Sequence, residues 1–499
     1  MRLWDLPLLV ILLGLTALAM LAPAVHGYAV GNAAAGRPFF YAACGLGMLT
    51  VMIGLATVDR AARDARHSHL AAMIGAYLIL PPIMAVPFAE AVADTSFVNA
   101  WFEMLSCFTT TGATLYEGAE RIPETLHLWR VLVGWLGGFF ILLMAVAVLM
   151  PMNLGGMEVL TGRSGRARGP QDMRIADATE RIQRFAVLLF PPYAGFTLLL
   201  WFALVLMGEP GFRAFAVALS TLSTSGILPG GGTAVGGFGV ELIIAAFLLL
   251  GITRRAYPGA LFDDPDLPPW RDPEVQMAGA IILSVTLVLA LRHWVGAIEN
   301  SEGGDLPAFV SVLWGAAYTT LSFLTTTGFT SEHWGSARIW SGLETHGMIL
   351  MGLAIVGGGV ATTAGGVKLL RVYALFRQGQ TELARLVHPH GVVGGGASER
   401  HLRGEGALVA WVFFMLFAMS IGVVAGALTL AGLAFDPALI LSISALTTTG
   451  QLATVAAEAP VRYSELGTAA KAILGGAMIL GRVEALAVLA LLAPDQWRR

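Results

Sequence analysis

Four stretches of the sequence end in a hydroxyl-rich turn that closes on glycine. They read Thr109-Thr110-Thr111-Gly112-Ala113-Thr114, Ser223-Thr224-Ser225-Gly226-Ile227-Leu228, Thr325-Thr326-Thr327-Gly328-Phe329-Thr330 and Thr447-Thr448-Thr449-Gly450-Gln451-Leu452. Such turns concentrate neutral oxygen, and neutral oxygens can replace the water around a dehydrated cation without adding full negative charge. Consecutive carbonyls can face one axis only if the chain takes unusual φ/ψ values, which glycine reaches freely. One such tripeptide means little, because helix caps and turns use these residues constantly. Here the glycines recur at spacings of 114, 102 and 122 residues, which indicates one supersecondary unit used four times. The candidate cation ligands are therefore Thr110, Thr111, Gly112 and Ala113, then Thr224, Ser225, Gly226 and Ile227. They continue with Thr326, Thr327, Gly328 and Phe329, then Thr448, Thr449, Gly450 and Gln451. The ion is expected at Thr111, Gly112, Ser225, Gly226, Thr327, Gly328, Thr449 and Gly450. The plainer reading, Gly-terminated helix ends without a ligand, gives no reason for the repetition.

The elements that must hold these turns come in two lengths. Apolar runs near the ~20 residues of a membrane crossing fall at about 6–25, 38–58, 69–93, 126–151, 182–207, 236–252, 274–296, 341–373, 405–434 and 466–493. Shorter ones, Ser96–Phe108, Pro210–Ser223, Pro307–Leu324 and Asp436–Leu446, run directly into the four turns. A segment too short to cross that ends in a turn reads as a re-entrant half-helix, tolerated where its extended return lines a polar cavity or is buried in protein. Pro210, Pro307 and Pro437 suit a first helical turn, and Ser96 and Asp436 suit N-caps. Each half-helix would aim the negative end of its dipole at a common centre, favouring a cation there.

Composition sets the class. The 499 residues are 56% hydrophobic and 13% charged, with a mean hydropathy of +0.72. Average soluble domains carry about 25% charge, so the expectation is an all-α polytopic membrane protein. The first apolar run, about Leu6 to Val25, reads as a retained spanning helix rather than a signal peptide. Basic residues are scattered among short loops, which argues against nucleic acid. Cys44 and Cys107 lie in apolar stretches without a CxxC spacing and read as buried thiols.

Charge placement orients the chain. With the N-terminus inside and the half-helices entering from outside, 21 of the 30 Lys and Arg fall on the inner side. Among them are Arg60, Arg63, Arg66, Arg163, Arg166, Arg168, Arg254, Arg255, Lys368, Arg371, Arg498 and Arg499. Glu117, Glu120, Glu124, Glu299, Glu302, Asp305, Glu332 and Glu458 fall outside. This is the asymmetry of the positive-inside rule, and it places both termini in the cytoplasm.

The run after the third turn is interrupted by Gly357-Gly358-Gly359-Val360-Ala361-Thr362-Thr363-Ala364-Gly365-Gly366. Glycine costs a helix about 1 kcal/mol per residue relative to alanine, so the helix is expected to break. The segment is either a flexible or close-packed link or a loop obstructing the route beneath the turns. It is no dinucleotide fingerprint, since no strand precedes it. Arg482, inside the last apolar run, is expensive in a membrane and reads as an electrostatic barrier facing the route, or else as a structural arginine. Glu484 is two residues on, where side chains of one helix diverge. Lys368 and Arg371 read as inner-face anchors, and His388 and His390 as solvated loop residues.

The sequence resembles the Trk/Ktr/HKT superfamily of potassium transport proteins, in its bacterial TrkH branch, over nearly its whole length. The resemblance lies in Ser-Cys-Phe-Thr-Thr-Thr-Gly-Ala-Thr at 106–114, Gly-Gly-Val-Lys-Leu-Leu-Arg-Val at 365–372, Gly-Arg-Val-Glu-Ala-Leu at 481–486 and Pro-Asp-Gln-Trp-Arg at 494–498. It implies two N-terminal transmembrane helices (1–66) and four helix–pore-loop–helix repeats around a central ion pore (67–165, 166–260, 261–390 with a broken second helix, and 391–499). It implies potassium as the ion, a selectivity filter at the four turns and an intramembrane gating loop using Gly357, Gly358, Gly359, Thr362, Thr363, Gly365 and Gly366. Arg482 matches the family's pore-facing arginine. The family also implies a homodimer in the bacterial inner membrane, docked to cytoplasmic nucleotide-binding subunits of the TrkA type; lipid is the other partner. The second turn (Thr-Ser-Gly-Ile) and the fourth (Gly-Gln-Leu) depart from the pattern, so modest discrimination between potassium and sodium is expected.

The main competitor is an alternating-access symporter coupled to sodium or protons, which would show a twofold repeat with charged or aromatic residues at its helix breaks. An enzyme is disfavoured, since HExxH, GxSxG and Walker patterns are missing from the sequence. No organic cofactor is expected, because the longest polar loops, about 153–181 and 374–404, are too short for a nucleotide-binding domain.

Overall fold

The computed structural model describes residues 6–57, 65–118, 120–150, 156, 178–256, 269–299, 306–335, 346–387, 405–457 and 459–484. Among them the regular structure is helical, apart from one isolated bridge between Ala234 and Thr330. Helices α1 (Leu8–Ala29) and α2 (Ala33–Thr57) form a tight hairpin. Their backbones touch where two glycines face each other: a Cβ on Gly27 would stand 2.7 Å from the Gly36 Cα. Small residues permit such approach where lipid provides no hydrophobic drive between helices.

The remaining chain repeats long helix, short helix, turn, helix. α3 (Ala65–Ala91) leads to the short α4 (Phe97–Phe108) and to α5 (Glu124–Met144). α6 (Ala178–Leu206) leads to α7 (Gly211–Ser223) and α8 (Phe238–Leu248). α9 (Pro273–Glu299) leads to α10 (Leu306–Leu324) and α11 (His346–Val356), beyond which the chain leaves helix until α12 (Leu369–Val387). α13 (Glu405–Leu430) leads to α14 (Phe435–Thr447), a single turn at Leu452–Val455, and α15 (Thr468–Val483). The expected interruption of the 341–373 run therefore falls between Val356 and Leu369.

Six described helices are long and apolar enough to cross a membrane. Their outer faces are apolar too: Met48, Val51, Met52 and Leu55 on α2 and Leu408, Trp411, Met419 and Val423 on α13 are exposed. In water such a surface would drive aggregation; in hydrocarbon it is the solvated face. The short helices are buried instead, with Ala438 and Leu441 of α14 and Ala214 and Ala216 of α7 fully enclosed. The chain is a multi-pass helical membrane protein.

Some local expectations are corrected. Ser96 does cap α4, its Oγ accepting the Asn99 N–H at 3.3 Å, but the cap of α14 is Ala434, and Asp436 lies within the first turn. There its carboxylate still meets the positive end of the helix dipole. Cys107 is buried but Cys44 is exposed, because it lies on the outer face of α2, where a thiol serves as a small apolar group. His388, His390, Glu302, Asp305, Glu458, the C-terminal 494–498 motif and Arg60, Arg63, Arg163, Arg166, Arg168, Arg498 and Arg499 lie outside the described residues.

Candidate functional site

The four turns are built alike. A serine stands six residues before each glycine, Ser106, Ser220, Ser322 and Ser444. Its carbonyl accepts the N–H of the residue before the glycine, at 2.8 Å from Thr111, 3.0 Å from Ser225, 2.9 Å from Thr327 and 2.9 Å from Thr449. These bonds finish the short helices by turning the chain back over its last residues. The turn needs a left-handed residue between, and that residue is threonine every time: Thr110, Thr224, Thr326 and Thr448 have φ of 51°, 51°, 57° and 55°. A β-branched residue rarely goes there, at about 1–2 kcal/mol each, and its recurrence shows that the four turns share one backbone design.

Hydroxyl pairs offset part of that strain. Thr109 meets Thr111 at 2.9 Å, Ser223 meets Ser225 at 2.9 Å, Thr325 meets Thr327 at 3.1 Å and Thr447 meets Thr449 at 3.3 Å. The serine hydroxyls brace the far side. Ser106 donates to the Ala113 carbonyl at 2.7 Å, Ser444 donates to the Thr449 carbonyl at 2.9 Å, and Ser322 accepts the Phe329 N–H at 2.7 Å. Ser106 entered the sequence analysis only as part of the 106–114 motif, and Ser220, Ser322 and Ser444 gained no role there, although S-x-x-[TS]-T-[TS]-G is visible in every copy.

The turns meet in a closed cycle. A Cβ added to Gly112 would fall on the Ser225 carbonyl, one added to Gly226 on the Thr327 carbonyl, one added to Gly328 on Gln451 at 2.8 Å, and one added to Gly450 on the backbone of Ala113. Turn one thus abuts turn two, two abuts three, three abuts four, and four returns to one. The residues singled out in the sequence are therefore buried together, Thr110, Thr111, Ala113, Thr224, Ser225, Ile227, Thr326, Thr327, Phe329, Thr448, Thr449 and Gln451 among them.

The fourth turn breaks the equivalence. Gly112, Gly226 and Gly328 have φ of 74°, 64° and 83°, whereas Gly450 is not left-handed. Its N–H donates to the Thr111 carbonyl at 2.6 Å, and its own carbonyl accepts the Tyr463 hydroxyl at 3.0 Å. The next residue, Gln451, donates its side-chain Nε2–H to the Gly226 carbonyl at 2.8 Å.

Beneath the turns lies the buried segment 357–368. It is held in a conformation with four left-handed residues, Gly357, Ala361, Gly366 and Lys368, and it touches the second, third and fourth short helices or their turns. Thr363 Oγ1 donates to the Leu222 carbonyl at 3.2 Å, and the Gly365 N–H donates to Thr326 Oγ1 at 2.7 Å. A Cβ on Gly365 would strike the Thr447 carbonyl and Thr448 Oγ1. Arg482 completes the set, with Nε donating to the Thr109 carbonyl at 2.5 Å and Nη1 to the Thr363 carbonyl at 2.6 Å. On the far side the Gly359 N–H donates to the Gly251 carbonyl at 2.9 Å, and Thr362 Oγ1 donates to the same oxygen at 3.1 Å. The Val360 N–H donates to the buried Glu274 carboxylate at 2.7 Å, and Arg254 pairs with that carboxylate at 3.4 Å.

Lys368 and Arg371 are not inner-face anchors. Lys368 is buried and its ammonium donates to the Ala364 carbonyl, four residues back. Arg371 is fully enclosed, pairs with Glu484 at 2.8 Å and lies 3.6 Å over the Phe413 ring. That pair joins α12 to the end of α15, where Glu484 has left the helix with φ of 66°. Two charges placed this deep in a membrane protein satisfy each other.

Buried carboxylates also fix the chain above the turns. Glu103 pairs with Arg130 at 2.7 Å and accepts the Leu115 N–H at 2.9 Å. Glu241 accepts from Trp314 Nε1 at 2.7 Å, Ser331 Oγ at 2.9 Å and the Glu332 N–H at 2.9 Å. Further out, a hydrogen bond from Arg121 at 2.7 Å holds the Asp94 carboxyl below the usual carboxylate range. Replacing Glu103 with glutamine strands the Arg130 charge. The expected result is a loss of about 3–5 kcal/mol, read as a lower melting temperature of the detergent-purified protein.

Comparison with known proteins agrees with this architecture. A family model described as TrkH, a cation transport protein, matches residues 278–497. The chain is 30% identical over 431 residues to the Trk system potassium uptake protein TrkH of Salmonella typhimurium, covering 85% of this chain and 84% of the relative. It is 28% identical to TrkH of Escherichia coli K12 over the same shares, and 30% identical to TrkI of Halomonas elongata over 85% of this chain and 82% of the relative. The crystal structure of the potassium transporter TrkH from Vibrio parahaemolyticus shares the fold, with a TM-score of 0.79 and 100% of both chains covered at 24% identity. The chain belongs to the TrkH family of membrane cation transport proteins.

Proposed function

We propose that this chain carries potassium into a bacterial cell across the inner membrane, through a filter formed by the four turns and a gate formed by segment 357–368 with Arg482. The observation that carries the reading is the closed cycle of glycine contacts among the turns. Each turn stands at the C-terminal end of a short buried helix, where the dipole favours a cation, and each presents oxygens that can replace hydration water. The curated relatives are named potassium uptake proteins, which supports potassium as the ion. The basic inner loops support cytoplasmic termini. The test is potassium-dependent growth of an uptake-deficient strain together with rubidium flux in liposomes. Wild-type protein is expected to support both, and Gly328→Ser neither; a wild-type protein passing no rubidium overturns the reading.

Conduction requires segment 357–368 to leave the space under the turns, and its tethers set how readily it does so. Glu274→Ala removes the acceptor of the Val360 N–H. A hydrogen bond to a charged group contributes about 1.5–3 kcal/mol, so resting rubidium leak is expected to rise roughly tenfold or more. Unchanged leak with normal protein levels would remove Glu274 as a tether.

The working assembly is a homodimer whose inner face receives cytoplasmic nucleotide-binding subunits of the TrkA type. The C-terminal part of α12 supports this, since it exposes Phe376, Leu383 and Leu386 beside Arg377 and Arg385. The same helix begins at the gate, where the Leu369 N–H donates to the Gly358 carbonyl at 2.9 Å. A force on its exposed end would therefore reach the gate.

A further inference from the structure

We propose that the side chain of Gln451 is the specificity-determining element of the filter: it takes the place of the fourth glycine carbonyl and masks that of Gly226. The inference rests on the potassium-conduction reading above and deepens it. Three observations converge. Gly450, unlike Gly112, Gly226 and Gly328, is not left-handed. Its carbonyl is occupied by the Tyr463 hydroxyl at 3.0 Å, on the protein side. The fourth turn instead directs two donors at its neighbours, the Gly450 N–H at the Thr111 carbonyl (2.6 Å) and the Gln451 Nε2–H at the Gly226 carbonyl (2.8 Å).

The orientation of the Gln451 amide follows from its partner. A carbonyl oxygen only accepts, so the NH2 end must face Gly226. Each N–H on a filter carbonyl competes with a cation for the same lone pairs. The stem of Gln451 also fills the space against Gly328 and Gly226, with its Cγ 2.9 Å and 3.4 Å from the Cβ positions those glycines lack. The glycine level of the filter is thus three carbonyls, one of them masked, plus a side chain. A large ion such as potassium gains most from many weak oxygen ligands; a smaller ion loses less when their number falls. Gln451 therefore lowers discrimination between potassium and sodium.

The test measures rubidium and sodium flux of the purified full-length chain in the same liposomes, for wild type, Gln451→Met and Gln451→Glu. Methionine keeps the length and removes the donor, freeing the Gly226 carbonyl. The rubidium-to-sodium ratio is expected to rise about fivefold, the size of one hydrogen bond. Glutamate also removes the donor but adds a charged oxygen of high field strength, and the ratio is expected to move the other way, toward sodium. A ratio unchanged in Gln451→Met while rubidium flux persists overturns the proposal. If Gln451→Met does not reach the membrane, Gln451→Glu decides: a shift toward sodium supports the proposal and an unchanged ratio overturns it. A wild-type protein that passes neither ion fails the functional reading itself, a result separate from either outcome here.

Discussion

Serine in place of Gly112 is expected to lower rubidium flux on the order of 100-fold while the protein still reaches the membrane. Gly112 has φ of 74°, and any Cβ there falls on the Ser225 carbonyl of the neighbouring turn. The left-handed strain alone is worth about 1–2 kcal/mol and would be tolerated. The overlap would not be: the Ser225 carbonyl must move by roughly 1 Å, and errors of that size cost preorganised sites on the order of 100-fold. The shift cannot be absorbed locally, because the Ser225 N–H is tied to the Ser220 carbonyl at 3.0 Å and its hydroxyl to Ser223 at 2.9 Å. Gly31 provides the control. Its φ is 78°, yet nothing lies within 4 Å of the added Cβ, so Gly31→Ser carries the strain without the collision. Flux near wild type in Gly31→Ser and lost in Gly112→Ser is the expected pair; flux retained in both would separate the turns from conduction.

The sequence was legible wherever one residue type has one physical meaning. Four hydroxyl-glycine turns behind short apolar segments, and a glycine run within a long one, led to the short helices, the turns and the break between Val356 and Leu369. Arg482 was legible as a charge out of place. What stayed hidden depends on distant partners. Lys368 and Arg371 resemble inner-face anchors until Glu484, 113 residues from Arg371, is found 2.8 Å away. The left-handed threonines were hidden because propensity gives that conformation to glycine; each is imposed by the bond between the serine carbonyl and the residue before the glycine. The departure of Gly450 depends on Tyr463, 13 residues further along the chain, which lies outside the hydroxyl-glycine turn. Cys44 shows the limit of hydropathy, since an apolar run does not say which of its faces meets lipid and which meets protein.

Removing the guanidinium of Arg482 should raise rubidium flux by roughly 10- to 100-fold. In the proposed gate the group would do two things from one position. Its charge lies under the ends of the short helices, where cations would otherwise gather; at ~5 Å and an effective dielectric near 20, two unit charges repel by about 3 kcal/mol. Its hydrogen bonds join the Thr109 carbonyl at the end of α4 to the Thr363 carbonyl of segment 357–368, and so hold that segment in place. Arg482→Ala removes both effects, and water entering the widened space can satisfy the two carbonyls, so the fold should survive. Arg482→Lys keeps the charge but cannot span both carbonyls in the planar geometry of arginine; it should raise flux only if tethering dominates. Arg482→Gln keeps a donor without the charge and should raise flux only if electrostatics dominates. Whichever of the two approaches Arg482→Ala identifies what closes the route, and no change in any of the three would remove Arg482 from the gate.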